Sequence, residues 1–382
     1  MKVLLGGEYS RLHNSLKEGL ARHGVEAHIL ATGDAFKRYP ADFSVRPRYL
    51  TRPAWRWLRQ GFHRMTGKDL AAWETAYYLH KFEKYAPSYD ILQWINPYPF
   101  ETPLRFEKKF MKKMMQKAGK TFLLACGDDA RVNDYYLKNP EPYNIFTPFR
   151  ENPALKKYFR YSLKYLKPAF RQWQQELESM ISGIIPTDLD YAVPYRGHPK
   201  ALPMIPNPVN TDKIVYHWPS MEKGIIIFHG INSGNYWRKG NAFFTRALEI
   251  IREKYKDKVQ IIETRDLAYE AYIRHLSRAH IVLDQIYAWD QGYNALEAMA
   301  MGKVVFTGAE DVFREYYGLT EEVNINALPD VDDLAGKLSE LIENPRRLEN
   351  ISRAARRFIE REHHYEEIAG RYLEAWKKTA NV

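Results

Sequence analysis

Two doubly wound α/β domains of parallel strands, facing each other across a cleft, are the fold class that this 382-residue sequence predicts. Three observations carry the prediction. The chain opens with a strand, a Gly-Gly turn and an amphipathic helix. Residues 225–306 repeat a strand–helix rhythm with little interruption. A Pro-rich connector, Leu202-Pro-Met-Ile-Pro-Asn-Pro-Val-Asn-Thr-Asp212, separates the two stretches.

Taken in order, Lys2–Leu5 reads as the first strand, followed by Gly6-Gly7. From Tyr9 to His23 the leucines 12, 16 and 20 recur every fourth residue, which gives one apolar helical face. Gly24 stops that helix, and Val25–Leu30 alternates like a second strand, completing a β-loop-α-β unit. Ile91–Ile95 and Thr121–Ala125 are further strands, with a helix at Arg105–Lys117 between them, and Leu155–Met180 has a helical pattern. In the second half, Ile225–Phe228, Val259–Glu263, Ile281–Leu283 and Val304–Phe306 read as buried strands. Asn241–Lys254, Tyr269–Ser277 and Asn294–Met301 are the helices between them. Such alternation implies parallel sheets with helices on both faces and ligands in the crevice at the strands' carboxyl ends. Three prolines within six residues stiffen the connector, so the domain boundary is placed there: 1–208 and 209–364, with 365–382 as a last helix. Within that last helix Ile368, Tyr372 and Trp376 recur every fourth residue.

Composition excludes several classes. Apolar residues make up 45% and charged residues 27% of the chain, and mean hydropathy is −0.53, as in globular proteins rather than disordered ones. No apolar run approaches the roughly 18 residues of a membrane span. A single cysteine, Cys126, allows no internal disulfide and no zinc cluster, and a cytosolic address is expected. Charge divides unevenly. Residues 1–208 carry 33 Lys+Arg against 20 Asp+Glu, whereas 209–382 carry 24 against 27. The first half therefore expects an anionic partner, and the two halves differ in task.

Segment 46–64 interleaves arginines with Tyr49, Trp55, Trp57 and Phe62, and its prolines oppose a long regular helix. A surface role is expected for it. Helix 105–117 sets Phe106, Phe110 and Met114 on one face, read as core, with lysines on the other. A third aromatic-basic run covers 156–173. Aromatics among cations suit an anionic membrane interface or single-stranded nucleic acid.

Loop 229–240, HGINSGNYWRKG, follows a strand and opens a helix. Its backbone N–H groups and helix N-terminus suit a phosphate, and Arg238 and Lys239 would add two cations for a departing diphosphate. A solvated surface loop is the alternative. In Asp290-Gln-Gly-Tyr-Asn-Ala-Leu-Glu297, Gly292 permits close approach of backbone to ligand. Glu297 either accepts hydrogen bonds from ribose hydroxyls or acts as a helix-capping acid. Asp284 and His229 end strands and are expected to face the cleft, as ligand contacts or as structural hydrogen-bonding groups. Asp128, in Cys126-Gly-Asp-Asp129, is either a general base on a ligand hydroxyl or one of two helix caps. Cys126 itself reads as a small buried residue.

These residues resemble the GT-B glycosyltransferases, particularly the large retaining family four. GYNALEAMAMGKVVFTG is similar to that family's signature helix, IPNPVNTDKI to its connector, and Arg238-Lys239-Gly240 to its diphosphate loop. The opening GGEYSRLHNSLKEGLARHG, with Gly7, is similar to its Gly-rich first loop and helix. The resemblance implies two Rossmann-like domains, with the last helix crossing back onto the first. It implies a UDP- or GDP-sugar donor on the second domain and a glycan or lipid-linked acceptor on the first. Transfer would retain configuration, with no metal and no cofactor. Arg238 and Lys239 would stabilise the leaving diphosphate, Glu297 would bind the ribose, and the backbone at Tyr293 and Asn294 would approach sugar or phosphate. Two positions depart from the pattern. Trp289 stands eight residues before Glu297, where the family has glutamate, with Asp290 one position nearer as a substitute. Cys126 stands in a turn where the family often has histidine. A nucleic-acid role gives no reason for both second-half motifs, so a glycosyltransferase is the expected function, peripheral at an inner membrane face. A catalytically degenerate nucleotide-sugar binder of the same fold is the alternative.

Overall fold

The computed structural model describes residues 1–34, 39–66, 69–140 and 142–379. Six strands form the first sheet: β1 (Lys2–Gly6), β2 (Glu26–Ala31), β3 (Phe43–Ser44), β4 (Tyr89–Trp94), β5 (Ala118–Ala125) and β6 (Gly183–Pro186). Their order is β3-β2-β1-β4-β5-β6, and every pair is parallel. The second sheet joins β7 (Ile225–Ile231), β8 (Val259–Arg265), β9 (Ile281–Leu283), β10 (Val304–Thr307) and β11 (Ile325–Asn326) in the order β11-β10-β9-β7-β8, again all parallel. Helices cover both faces of each sheet, which is why Val3-Leu4-Leu5 and Phe122-Leu123-Leu124-Ala125 are apolar at consecutive positions and buried throughout. Strand order reverses between β1 and β4 and between β7 and β9, and the crevices outside these points face each other.

The last helix, Tyr365–Lys378, lies on the first domain against helix Leu12–Arg22. Ile368, Tyr372 and Trp376 are buried there, and the Trp376 indole donates to Gln93 Oε1 at 3.2 Å. Gly19 makes the close crossing possible, because a Cβ at this position would land on the Tyr365 carbonyl oxygen.

Several expectations need correcting. The expected Leu155–Met180 helix is three pieces: a 3-10 turn at Pro153–Tyr158 and helices Arg160–Lys164 and Pro168–Met180. Pro168 occupies a first-turn position, where its missing N–H costs nothing, so it starts a helix rather than continuing one. Helix Leu104–Met115 buries Phe110 and Met114 as expected but exposes Phe106 and buries Glu107 instead. The Glu107 carboxylate accepts from the N–H groups of Phe100 and Thr102 and from the Thr102 hydroxyl, each at 2.8 Å, and burial raises its pKa to about 7.

Candidate functional site

The two sets of strand ends enclose a cavity of about 800 Å³, within the size range of small-molecule sites. First-domain loops contribute Tyr9 and Ser10 after β1, Asp34 after β2, Cys126 after β5, and Asp188 and Tyr191 after β6. Second-domain loops contribute Asn232 and Asn235 after β7, Asp266 after β8, Asp284 and Gln285 after β9, and the start of helix Tyr293–Ala300.

Five of the residues expected from sequence to bind or act on a ligand line this cavity: Lys239, Asp284, Gly292, Tyr293 and Asn294. Helix Tyr293–Ala300 begins without a side-chain cap at Gly292. Gly292, Tyr293 and Asn294 all line the cavity, so the helix start, with its free N–H groups and the positive end of its dipole, lies at the cavity wall. The Lys239 ammonium lies 2.7 Å from Asp284 Oδ1, while Asp284 Oδ2 is buried with no hydrogen-bond partner.

The other six do not line it. Gly7 sits at φ +92°, its backbone pressed against Ile95 and Pro99, and its carbonyl accepts from the His13 ring at 2.7 Å; it shapes the turn that presents Tyr9 and Ser10. His229 is fully buried and points away from the cleft, with Nε2 2.9 Å from Asn241 Oδ1 and Nδ1 3.6 Å from Glu263. β7 runs on to Ile231, so Gly230, Ile231 and Asn232 line the cavity in its place. Arg238 and Asp128 engage each other across the domains, at 2.8 and 3.4 Å. Of the roles left open only the cap is filled, by Asp129, which caps helix Ala130–Lys138 through the Val132 N–H, while Asp128 pairs with the arginine instead. Glu297 is buried behind Tyr269, whose hydroxyl lies 3.4 Å from both of its oxygens, and Tyr269 forms the cavity wall. Asp290 is turned toward the first domain, where it accepts from the Leu189 N–H at 3.0 Å. Cys126 lines the cavity, but its thiol meets the Ile95 carbonyl at 3.0 Å. Burial and nearby Asp188 push its pKa well up, so it stays protonated.

Trp289, where the resembled family has glutamate, is a wedge between domains. Its indole N–H donates to the Tyr143 carbonyl at 3.0 Å, and its ring meets Tyr136 edge-on at 5.5 Å. Beside it, Asp190 accepts from the N–H groups of Trp289 and Asp290, at 3.0 and 3.2 Å.

Three carboxyls, Asp188, Asp190 and Asp290, thus share the domain junction. Burial, then Asp190 and Asp290, push Asp188 well up; burial raises Asp190 to about 7 and Asp290 to about 6. When the chain unfolds, these groups release protons at ordinary carboxyl pKa values, so the folded state binds more protons. Their contribution to stability therefore falls as pH rises from about 4 through the raised values, about 6 for Asp290 and about 7 for Asp190, with Asp188 extending the fall upward. Asp188→Asn removes one of the three coupled titrating carboxyls, at a residue whose Oδ1 is already without a partner. We expect it to stabilise the protein at pH 8 and to change little at pH 5, where the folded carboxyls hold their protons. Urea unfolding at both pH values checks this, and an equal shift at the two would contradict it.

Sequence reading missed Asp34, Asp188 and Asp266. Each lies just past the carboxyl end of a strand, the position that the fold class itself marks out. Among the described residues, no group of three or more His, Cys, Asp or Glu is arranged to hold a metal ion. Among the described residues, the cavity wall carries Asp34, Asp188, Asp266 and Asp284 against one cation, Lys239. An anionic ligand would therefore depend on backbone N–H donors and on Lys239.

Comparison with known proteins agrees with this architecture. Residues 234–374 match a family model described as glycosyl transferase-like. No curated protein matches the chain. Sucrose-phosphate synthase from Thermosynechococcus elongatus superposes with a TM-score of 0.59 at 12% identity, over 99% of this chain and 98% of that one. Anabaena HepE in complex with UDP and glucose gives 0.57 at 12% identity, over 99% of each chain. UDP-GlcNAc 2-epimerase from Neisseria meningitidis, bound to UDP-GlcNAc, gives 0.51 at 14% identity, over 99% of this chain and 100% of that one. The shared architecture is the GT-B fold. Because an epimerase has it as well as a synthase, the fold alone does not select the chemistry.

Proposed function

We propose that this GT-B chain, whose second domain is glycosyl transferase-like, is a glycosyltransferase that uses a nucleoside-diphosphate sugar. One observation carries the reading: the uncapped N-terminus of helix Tyr293–Ala300 and the Lys239 ammonium converge on one interdomain cavity. A diphosphate placed there receives backbone N–H groups and one cation. The acidic residues around it suit the hydroxyls of ribose and sugar, since carboxylates accept hydrogen bonds from them. The acceptor, a glycan or lipid-linked hydroxyl, would enter from the first-domain wall at Tyr9, Ser10 and Asp188.

In the transfer, the bond from the anomeric carbon to the diphosphate breaks with its electron pair leaving on the phosphate oxygen. The acceptor oxygen bonds to that carbon and gives its proton to the departing phosphate. Lys239 and the helix end stabilise the charge that accumulates on the leaving group. Retention of configuration and freedom from metal and cofactor belong to this proposal through the family-four resemblance. The Trp289 wedge favours a second reading, a nucleotide-sugar binder without turnover, because it removes the carboxylate that would hold the sugar.

Release of nucleoside diphosphate from a panel of UDP-, GDP- and ADP-sugars, with and without membrane extract as acceptor, tests the reading. Release with one donor supports the transferase, binding without release supports the degenerate binder, and the absence of both removes the proposal. In the same assay we expect Glu297→Ala to weaken donor binding about 10- to 100-fold, the range for losing a hydrogen bond to a charged group. The loss acts through Tyr269, which Glu297 holds against the cavity. An unchanged donor affinity would remove Glu297 from the site.

A further inference from the structure

Helix Arg56–Thr66, entered through a 3-10 turn at Pro53–Trp55, buries none of its residues. Trp57 is 72% exposed and Met65 87% exposed, and Leu58, Trp55 and Tyr49 are also exposed. Positions 57, 61 and 65 repeat every four residues, so Trp57 and Met65 stand on one stripe with only Gly61 between them. Arg59 turns instead toward the body of the domain, paired with Asp69 at 2.5 Å. The apolar stripe thus faces solvent, contrary to an ordinary surface helix, which turns its apolar face inward.

The charge around the stripe has one sign. Residues 46–66 contain arginines at 46, 48, 52, 56, 59 and 64 and no Asp or Glu. Arg56 and Arg64 share a face with Arg59, Gln60 and His63, so cations border the stripe along one side. Glu74, on the following helix Leu70–Tyr85, is committed to the N–H groups of Arg48, Tyr49 and Leu50 and so anchors the segment to the domain.

We propose that this helix docks the first domain on an anionic lipid surface, with Trp57 and Met65 entering the headgroup–acyl boundary and Arg56 and Arg64 meeting lipid phosphates. Charge complementarity selects an anionic partner, and the outward apolar stripe selects a bilayer over a soluble polyanion, which offers nothing to bury Trp57 and Met65. The inference stands apart from the proposed sugar transfer, since the helix contributes nothing to the interdomain cavity.

Co-sedimentation of the full chain with phosphatidylglycerol/phosphatidylcholine vesicles, against phosphatidylcholine alone, is the test. Binding to the anionic vesicles is expected, with each of Arg56→Ala and Arg64→Ala lowering the partition coefficient about fivefold, from about 1 kcal/mol per cation. The double variant W57S/M65S should lower it at least tenfold. Because these side chains are exposed, the variants should keep the wild-type melting temperature, which separates lost docking from lost folding. Three outcomes would overturn the proposal: equal binding by wild type and variants, binding to heparin but not to vesicles, or a dimer in solution that W57S/M65S abolishes.

Discussion

Lys239→Ala is expected to lower nucleoside-diphosphate release about 100- to 1,000-fold in kcat, the usual consequence of removing one preorganised stabiliser of transition-state charge. Among the described residues the ammonium is the only cationic side chain on the cavity wall, and Asp284 holds it at 2.7 Å. The neighbouring Arg238 does not stand ready to replace it, because it is committed to Asp128 at the domain junction. The substitution also strands Asp284, whose side chain is 5% exposed and whose other oxygen has no partner. A stability loss of about 3–5 kcal/mol should accompany it, as when one partner of a buried pair is removed. The double variant K239A/D284N separates the two effects, because it removes the stranded charge without restoring the cation. It should recover most of the melting temperature and none of the rate. Recovery of both would mean that Lys239 serves the fold alone.

Trp289→Ala should destabilise the protein by about 3–5 kcal/mol, the range for truncating a large buried aromatic. Its ring is 8% exposed and lies within the first domain's core cluster although it belongs to the second domain's chain. Loss of its bond to the Tyr143 carbonyl and of its edge contact with Tyr136 therefore loosens the junction as well as the core. Trp289→Glu, which installs the residue of the resembled family, should cost more than alanine. A carboxylate there would be buried beside Asp190 and Asp290, already raised to about 7 and about 6. Chemical denaturation of the three proteins checks the order. A glutamate variant as stable as wild type, with faster release, would show instead that the position is still poised for a sugar contact.

These two residues also mark how far the sequence could be read. Ile281–Leu283 was legible to the residue because three apolar positions stand between a helix end and a polar Asp-Gln. β6 was missed because Gly183 and Pro186 break its apolar run, yet it delivers Asp188 to the cavity. β3 and β11 are two residues each, too short for any periodicity to register. Among the site residues, Lys239 and Gly292–Asn294 were legible because a Gly-containing loop opening a helix after a strand has one common use. His229 was misplaced because the strand, read as ending at Phe228, runs on to Ile231 and carries its carboxyl end past the histidine. The Arg238–Asp128 pair was not legible at all. It joins residues 110 positions apart, and nothing local in the sequence signals a cross-domain ion pair. Asp290 misled for the opposite reason: the spacing suited a sugar contact, but the chain turns it toward Leu189.

The central claim is that the interdomain cavity seats a nucleoside diphosphate against the start of helix Tyr293–Ala300. Determination of a crystal structure with UDP or GDP bound tests it most directly. The account predicts diphosphate density within hydrogen-bond distance of the Tyr293 and Asn294 N–H groups, with the Lys239 ammonium turned from Asp284 toward it. Density elsewhere, or a cavity that stays closed to the nucleotide at millimolar concentration with the Lys239–Asp284 pair intact, would contradict it.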